Sequence, residues 1–189
     1  MRFAWLCLTL AGFSALACQA RANCGKGDWK PVRYVYDGDT LQLKNYEKVR
    51  LIGIDAPEVH ENEKLEKDLR RTHLRRDAMT EMGNRSYDVM RQLVGKSSVR
   101  LEYDATREDK YGRTLAYVYA CLPEDQFLKI VQAPSSKKGS KEQKEYELNR
   151  EMIRYGWAEA FRNFRYREKA DFFKLEAQAK EENRGLWAK

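Results

Sequence analysis

The sequence contains only two histidines, His60 and His73, and neither stands in a repeated ligand pattern. Its four cysteines form no Cys-x-x-Cys pair and no paired Cys/His spacing, which argues against a structural zinc site. The one strongly apolar run, residues 3–16, is too short for a good membrane span. No internal repeat and no second domain is evident, and 189 residues ordinarily make one domain. Hydrophobic residues at 42% are enough to build a core, so global disorder is excluded. The formal charge of +7 favours a polyanionic partner, because neutralising phosphates releases condensed counterions. A basic surface that serves only solubility is the alternative.

The apolar run follows Arg2 and precedes two small-x-small sites, Ala15-Leu16-Ala17 and Ala20-Arg21-Ala22. That is the pattern of a signal peptide over residues 1–22, with a domain over 23–189 and a secreted or periplasmic product. Removing Arg2 and Arg21 lowers the formal charge from +7 to +5, still basic. A rival reading makes Ala15-Leu16-Ala17-Cys18 a lipidation box. The protein would then be lipid-anchored at the cell envelope through Cys18, its one route to a membrane. After cleavage Cys24 and Cys121 remain, an even pair in an oxidising compartment, which predicts a disulfide between them. Two unpaired thiols are the alternative.

Asp37-Gly38 separates two strand-like runs, 32–36 and 40–44, with Gly expected to supply a positive φ in a hairpin. Further strands are expected at 49–54, 98–104 and 114–120. In the last, Leu115, Tyr117 and Tyr119 alternate with Ala116 and Val118. Amphipathic spacing predicts helices over 84–94, 147–155 and 170–184, followed in turn by Gly95, Gly156 and Gly185. Five short strands with a few helices point to an α+β fold around a small closed barrel. The dense mixture of charges over 61–81 reads as an extra exposed helix that is solvated and ion-paired, the alternative being contact with nucleic acid through Arg70, Arg71, Arg75 and Arg76. The stretch 122–146, with its Pro-Ser-Ser-Lys-Lys-Gly-Ser-Lys run, reads as a mobile loop.

Four motifs stand in one order: Asp37-Gly38-Asp39-Thr40, then Arg50-Leu51-Ile52-Gly53-Ile54-Asp55-Ala56-Pro57-Glu58, then Asp109-Lys110-Tyr111-Gly112-Arg113, then Glu176-Ala177-Gln178-Ala179-Lys180. Asp55 follows a nearly apolar stretch, an unusual place for a charge unless it is paired or binds metal. Arginines at 50 and 113 have the planar donor geometry that grips phosphate. Strict alternation puts Arg50 and Asp55 on opposite faces, so a shared site requires a bend near Gly53.

In this order the motifs resemble the staphylococcal nuclease family. The resemblance implies an OB-fold barrel and metal-dependent cleavage of DNA and RNA with little sequence preference, leaving 3′-phosphate ends. It assigns Ca²⁺ to Asp39, Asp55 and the main-chain oxygen of Ala56, where the prototype has threonine. Glu58 matches the proposed general base, Arg50 and Arg113 the phosphate clamps, and Lys110 and Tyr111 positions that contact the nucleotide phosphate. His60 and His73 fit no histidine-based nuclease. Phe161, Phe164 and Tyr166 are candidates for base stacking or for the core. A monomer with no obligate protein partner is expected. The rivals are a noncatalytic nucleic-acid-binding module on the same barrel and a structural envelope protein.

Overall fold

The computed structural model describes residues 24–132 and 139–188. The expected signal peptide over 1–22, its cleavage sites and Cys18 lie outside the described residues, as do residues 133–138 within the expected loop.

Five strands close into a barrel: β1 (Trp29–Val35), β2 (Thr40–Leu43), β3 (Lys48–Leu51), β5 (Ser98–Glu102) and β6 (Thr114–Pro123). The sheet order is β3-β2-β1-β5-β6, and a parallel pairing of β3 with β6 joins the ends. β1 serves both walls. Its first half pairs with β5 and its second with β2, with an irregular register between Val32 and Tyr34. Closure leaves neither β3 nor β6 as a free edge within the ring. The structure thus has the expected α+β, OB-type class, with five α-helices around the barrel among the described residues.

The five helices are α1 (Glu63–Thr72), α2 (Arg76–Val94), α3 (Glu124–Val131), α4 (Leu148–Arg154) and α5 (Lys169–Glu181). Three further short strands complete the fold: β4 (Ile54–Asp55), β7 (Gln143–Glu147), which pairs with β6, and β8 (Glu159–Ala160), which pairs with β4.

The expected third strand is interrupted, as the Arg50–Asp55 parity requires. β3 stops at Leu51, and Gly53 takes φ +80°, in the left-handed region. A Cβ there would also lie 2.6 Å from the Tyr166 ring. Chain direction changes, and β4 leaves β3 to pair with β8. Buried Asn149 holds this bend. Its Nδ2 donates to Ile52 O (2.8 Å) and Ala116 O (3.1 Å), and its Oδ1 accepts from Val118 N (2.8 Å).

Several expectations are corrected. The segment 122–146 is not one mobile loop, because it carries α3 and most of β7. Phe127 and Val131 of α3 are buried, and Phe127 stacks on Tyr146 with centroids 3.8 Å apart. The polar run beyond α3 masked this short apolar spacing. The 61–81 stretch is not a single exposed helix. It is α1 and the start of α2, divided where His73 (φ 57°) caps α1 in the left-handed region. The alternation expected in β6 is not overturned: from Leu115 to Val118 both of its faces are buried, and α4 packs on the strand. Gly38 is absent from the positive-φ glycines. Its role is close approach: a Cβ would fall 1.9 Å from Ser86 Oγ on α2.

Cys24 and Cys121 are joined by a disulfide, Cα atoms 6.0 Å apart, across a sequence separation of 97. The bond ties the start of the described chain to β6. Loops of this order typically gain about 2–4 kcal/mol from closure.

Candidate functional site

The site begins at the β1–β2 hairpin. Asp37 Oδ1 accepts from Asp39 N (2.8 Å), and Tyr36 N donates to Thr40 O (2.9 Å). This turn directs the Asp39 side chain inward, where the residue is 1% exposed. Asp39 Oδ1 accepts from Thr40 Oγ1 (2.8 Å) and Arg50 Nη1 (2.5 Å), and Oδ2 from Ala56 N (2.9 Å). Burial pushes this carboxyl up, but Arg50, Lys64 and the two hydrogen bonds outweigh it, and its pKa lies below the ordinary value. Neighbouring Asp37 accepts from the Asp39 backbone N–H. Burial and then the Asp39 charge push it up to about 8.

The bend at Gly53 lets Arg50 serve two acids. Its Nη2 lies 3.0 Å from Asp55 Oδ1, and the side chain is only 14% exposed. The structure therefore gathers Asp39, Arg50, Asp55 and Ala56. In this arrangement the Arg50 guanidinium is committed to carboxylates.

Helix α2 supports both loops of the site. Gly38 meets it at Ser86. Its own Gly83 faces the second loop, where a Cβ would fall 2.2 Å from Glu58 O. Glycine within a helix costs about 1 kcal/mol relative to alanine. Here it permits backbone contact with the loop that carries Glu58.

Two residues that sequence reasoning missed fix Glu58. Asn62 caps α1, accepting from Leu65 N (2.9 Å), and its Nδ2 donates to Glu58 Oε2 (2.8 Å). Lys64, in the first turn of α1, donates to Ala56 O (2.6 Å) and pairs with Glu58 Oε1 (3.1 Å) and Asp55 Oδ1 (3.2 Å). Asn62 was legible as an N-cap residue. Nothing in the sequence marked Lys64 among its charged neighbours. Burial would lower the Lys64 pKa, but Asp55, Asp39 and Glu58 raise it above the ordinary value.

The residues assigned to metal, Asp39, Asp55 and Ala56 O, are oxygen donors, which suits a hard cation in kind. Both Asp39 oxygens already accept hydrogen bonds, and the charge at the Ala56–Asp55–Glu58 convergence is the Lys64 ammonium. Among the described residues, no three His, Cys, Asp or Glu side chains are grouped to hold a metal ion.

Arg113 enters from the turn before β6. Asp109 organises that turn, its Oδ1 accepting from Tyr111 N (2.9 Å) and Arg113 N (3.0 Å) and its Oδ2 from Arg113 Nε (2.7 Å). Arg113, Glu58, Asp37, Thr40, Tyr36 and Lys48 line one open cavity of about 240 Å³. Lys110 and Tyr111 stand on the same turn. Tyr111 is 71% exposed, with the Lys110 ammonium 4.9 Å and the Arg113 guanidinium 5.4 Å from its ring centre.

Tyr166 is buried against Phe172 (5.6 Å), and the half-buried Phe164 packs on Tyr166 (5.8 Å) and on the half-buried Phe161 (5.2 Å), so of the three only Tyr166 is a buried core residue. His60 borders the cavity and His73 caps α1; both are exposed. Arg71, Arg75 and Arg76 pair with Glu159, Asp77 and Glu66.

Comparisons with known proteins agree with this architecture. The chain is 35% identical over 97 residues to a thermonuclease of Staphylococcus intermedius, and 32% identical over 101 residues to one of Staphylococcus hyicus. These alignments cover 50% and 52% of the chain and equal shares of the relatives, so the chain spans about half the length of each thermonuclease. An uncharacterised protein of Methanocaldococcus jannaschii is 29% identical over 162 residues, 81% of the chain and 68% of that protein. The family model for staphylococcal nuclease homologues matches residues 48–189, from the start of β3 onward, so Asp39 stands upstream of the matched stretch. With a match over most of its length, the chain belongs to the staphylococcal nuclease homologue family.

Proposed function

We propose that this protein is a nuclease that hydrolyses phosphodiester bonds in DNA and RNA with little sequence preference and leaves 3′-phosphate ends. The observation that carries the reading is a shared cavity: Glu58 and Arg113, from distant parts of the chain, line one open space beside the buried Asp39–Arg50–Asp55 cluster.

The cavity combines a carboxylate with cations, which suits attack on a phosphate. Glu58, held by Asn62 and Lys64, accepts a proton as water attacks phosphorus. The bond from phosphorus to the 5′ oxygen breaks, the 5′ oxygen gains a proton from solvent, and the phosphate remains on the 3′ side. Arg113 donates to the non-bridging oxygens as their charge grows. Lys48, whose Nζ lies 5.2 Å from the Tyr36 ring centre, adds positive charge to the cavity wall. Arg50 positions Asp39 and Asp55; a direct phosphate contact would replace one of its present bonds. When bound by Asp39, Asp55 and the Ala56 oxygen, a hard cation, Ca²⁺ by resemblance, supplies charge neutralisation of the phosphate.

Residues that read phosphate and not base edges imply weak sequence preference. The Cys24–Cys121 disulfide supports a secreted or periplasmic location, since such bonds persist in oxidising compartments. The test is digestion of single-stranded DNA and RNA by the mature protein with Ca²⁺, Mg²⁺ or chelator, followed by analysis of fragment ends. Fragments bearing 3′-phosphate are expected. Binding of both polymers without cleavage in any of the three conditions would overturn the reading.

A further inference from the structure

The Lys64 ammonium occupies the position where three oxygens of the site converge: Ala56 O at 2.6 Å, Glu58 Oε1 at 3.1 Å and Asp55 Oδ1 at 3.2 Å, with Asp68 Oδ2 farther off at 3.9 Å. Main-chain oxygen and carboxylates around a small positive charge form a cation cradle. The side chain comes from α1, within the extra charged stretch noted in the sequence. Its direction is set by the Asn62 cap, which starts the helix beside Glu58. Asp68, one turn along the same helix, stands behind the ammonium.

We infer that Lys64 is a tethered cation that fills the acidic cradle of this chain and competes with a divalent ion for it. The inference rests on the nuclease reading only in supposing that a divalent ion uses two oxygens of that cradle, those of Asp55 and Ala56. It has two consequences. The carboxylates are neutralised without metal, so the fold does not depend on metal to hold Asp55 and Glu58 together. A divalent ion must also displace the ammonium before it can reach the Ala56 oxygen. Apparent affinity falls by the fraction of molecules in the binding-competent state. If Lys64 is seated about nine-tenths of the time, the apparent Kd for Ca²⁺ rises about tenfold.

The test is calorimetric titration of Ca²⁺ into the full mature protein, without nucleic acid, for wild type, Lys64→Gln, Lys64→Met and Lys67→Gln. Lys67 is an exposed lysine on the same helix, so its variant carries the same change in net charge. Lys64→Met retains an apolar stem should the glutamine variant fold poorly. Thermal unfolding of each variant in chelator and in Ca²⁺ supplies the second readout. The expected result is tighter Ca²⁺ binding by about tenfold or more in both Lys64 variants and little change in Lys67→Gln. The Lys64 variants should also unfold at lower temperature in chelator and recover in Ca²⁺. Equal affinity in wild type and Lys64 variants, equal tightening in Lys67→Gln, or no Ca²⁺ binding in any variant would overturn the inference. Because no substrate is present, these outcomes are distinguishable from a failure of the nuclease reading.

Discussion

Arg50 Nη1 lies 2.5 Å from Asp39 Oδ1, and the same guanidinium reaches around the Gly53 bend to Asp55 at 3.0 Å. One largely buried cation thus ties the first hairpin to the end of the third strand's path. Breaking a buried pair by removing one partner typically costs about 3–5 kcal/mol, because the other charge is left uncompensated. Arg50→Met should lower unfolding free energy by that amount in urea titration. Adding Asp39→Asn should recover part of the loss, since the stranded carboxylate is then neutral. An Arg50→Met cost below about 1 kcal/mol would mean that Asp39 is not held by this pair.

Asn149 carries a comparable structural burden with no charge. Its amide bonds to Ile52 O, Ala116 O and Val118 N keep the strand bend against β6. Asn149→Ala takes the side-chain partner from Ile52 O and Val118 N, at about 1–3 kcal/mol for each, while Ala116 O still accepts from Ile52 N. The expected outcome is a large loss of stability, with hydrogen exchange accelerated at Val118 N. Unchanged protection of that amide would contradict the assigned role.

Glu147, between β7 and α4, makes stability depend on pH. Its Oε1 is buried with no hydrogen-bond partner among the described residues, and its Oε2 is 3.5 Å from Arg150 Nε. Burial, then the Glu168 charge, pushes its carboxyl up to about 7 from an ordinary value of 4.5. Between those two values the folded state retains a proton that the unfolded chain releases. Stability from this group therefore falls as pH rises through that window, and the loss is complete above the folded value. Glu147→Gln cannot ionise. Its stability relative to wild type should rise from about pH 5 to about pH 8. A difference constant across that range would show that Glu147 titrates normally in the fold.

The barrel was legible because its signals are local. Asp37-Gly38 marks the hairpin, branched apolar runs mark the strands, and Gly95, Gly156 and Gly185 follow the expected helical stripes. The bend at Gly53 was legible from a conflict, since Arg50 and Asp55 have the wrong parity for one straight strand. Less visible were features set by tertiary approach. Gly38 reads as a turn residue and Gly83 falls between the expected helices, yet each makes room for a neighbour across the fold. Lys64 is one of many charges in 61–81, and only the capped start of α1 brings it to Ala56 and Glu58. Helix α3 was hidden because two buried residues, Phe127 and Val131, precede a long polar run. Asn149 reads as a polar residue beside an apolar stripe, and its three partners come from segments remote in sequence.

The most direct test of the hydrolytic account is the initial rate of single-stranded DNA cleavage by wild type, Glu58→Gln and Arg113→Ala, with urea unfolding of each measured alongside. Arg113 is a partly exposed residue whose partner Asp109 also bonds backbone N–H groups. Its loss should change stability by no more than about 1 kcal/mol, while the cleavage rate falls about 10²–10³-fold. Glu58→Gln should lower the rate about 10²–10⁴-fold in a folded protein. Folded variants that cleave at the wild-type rate would contradict the account.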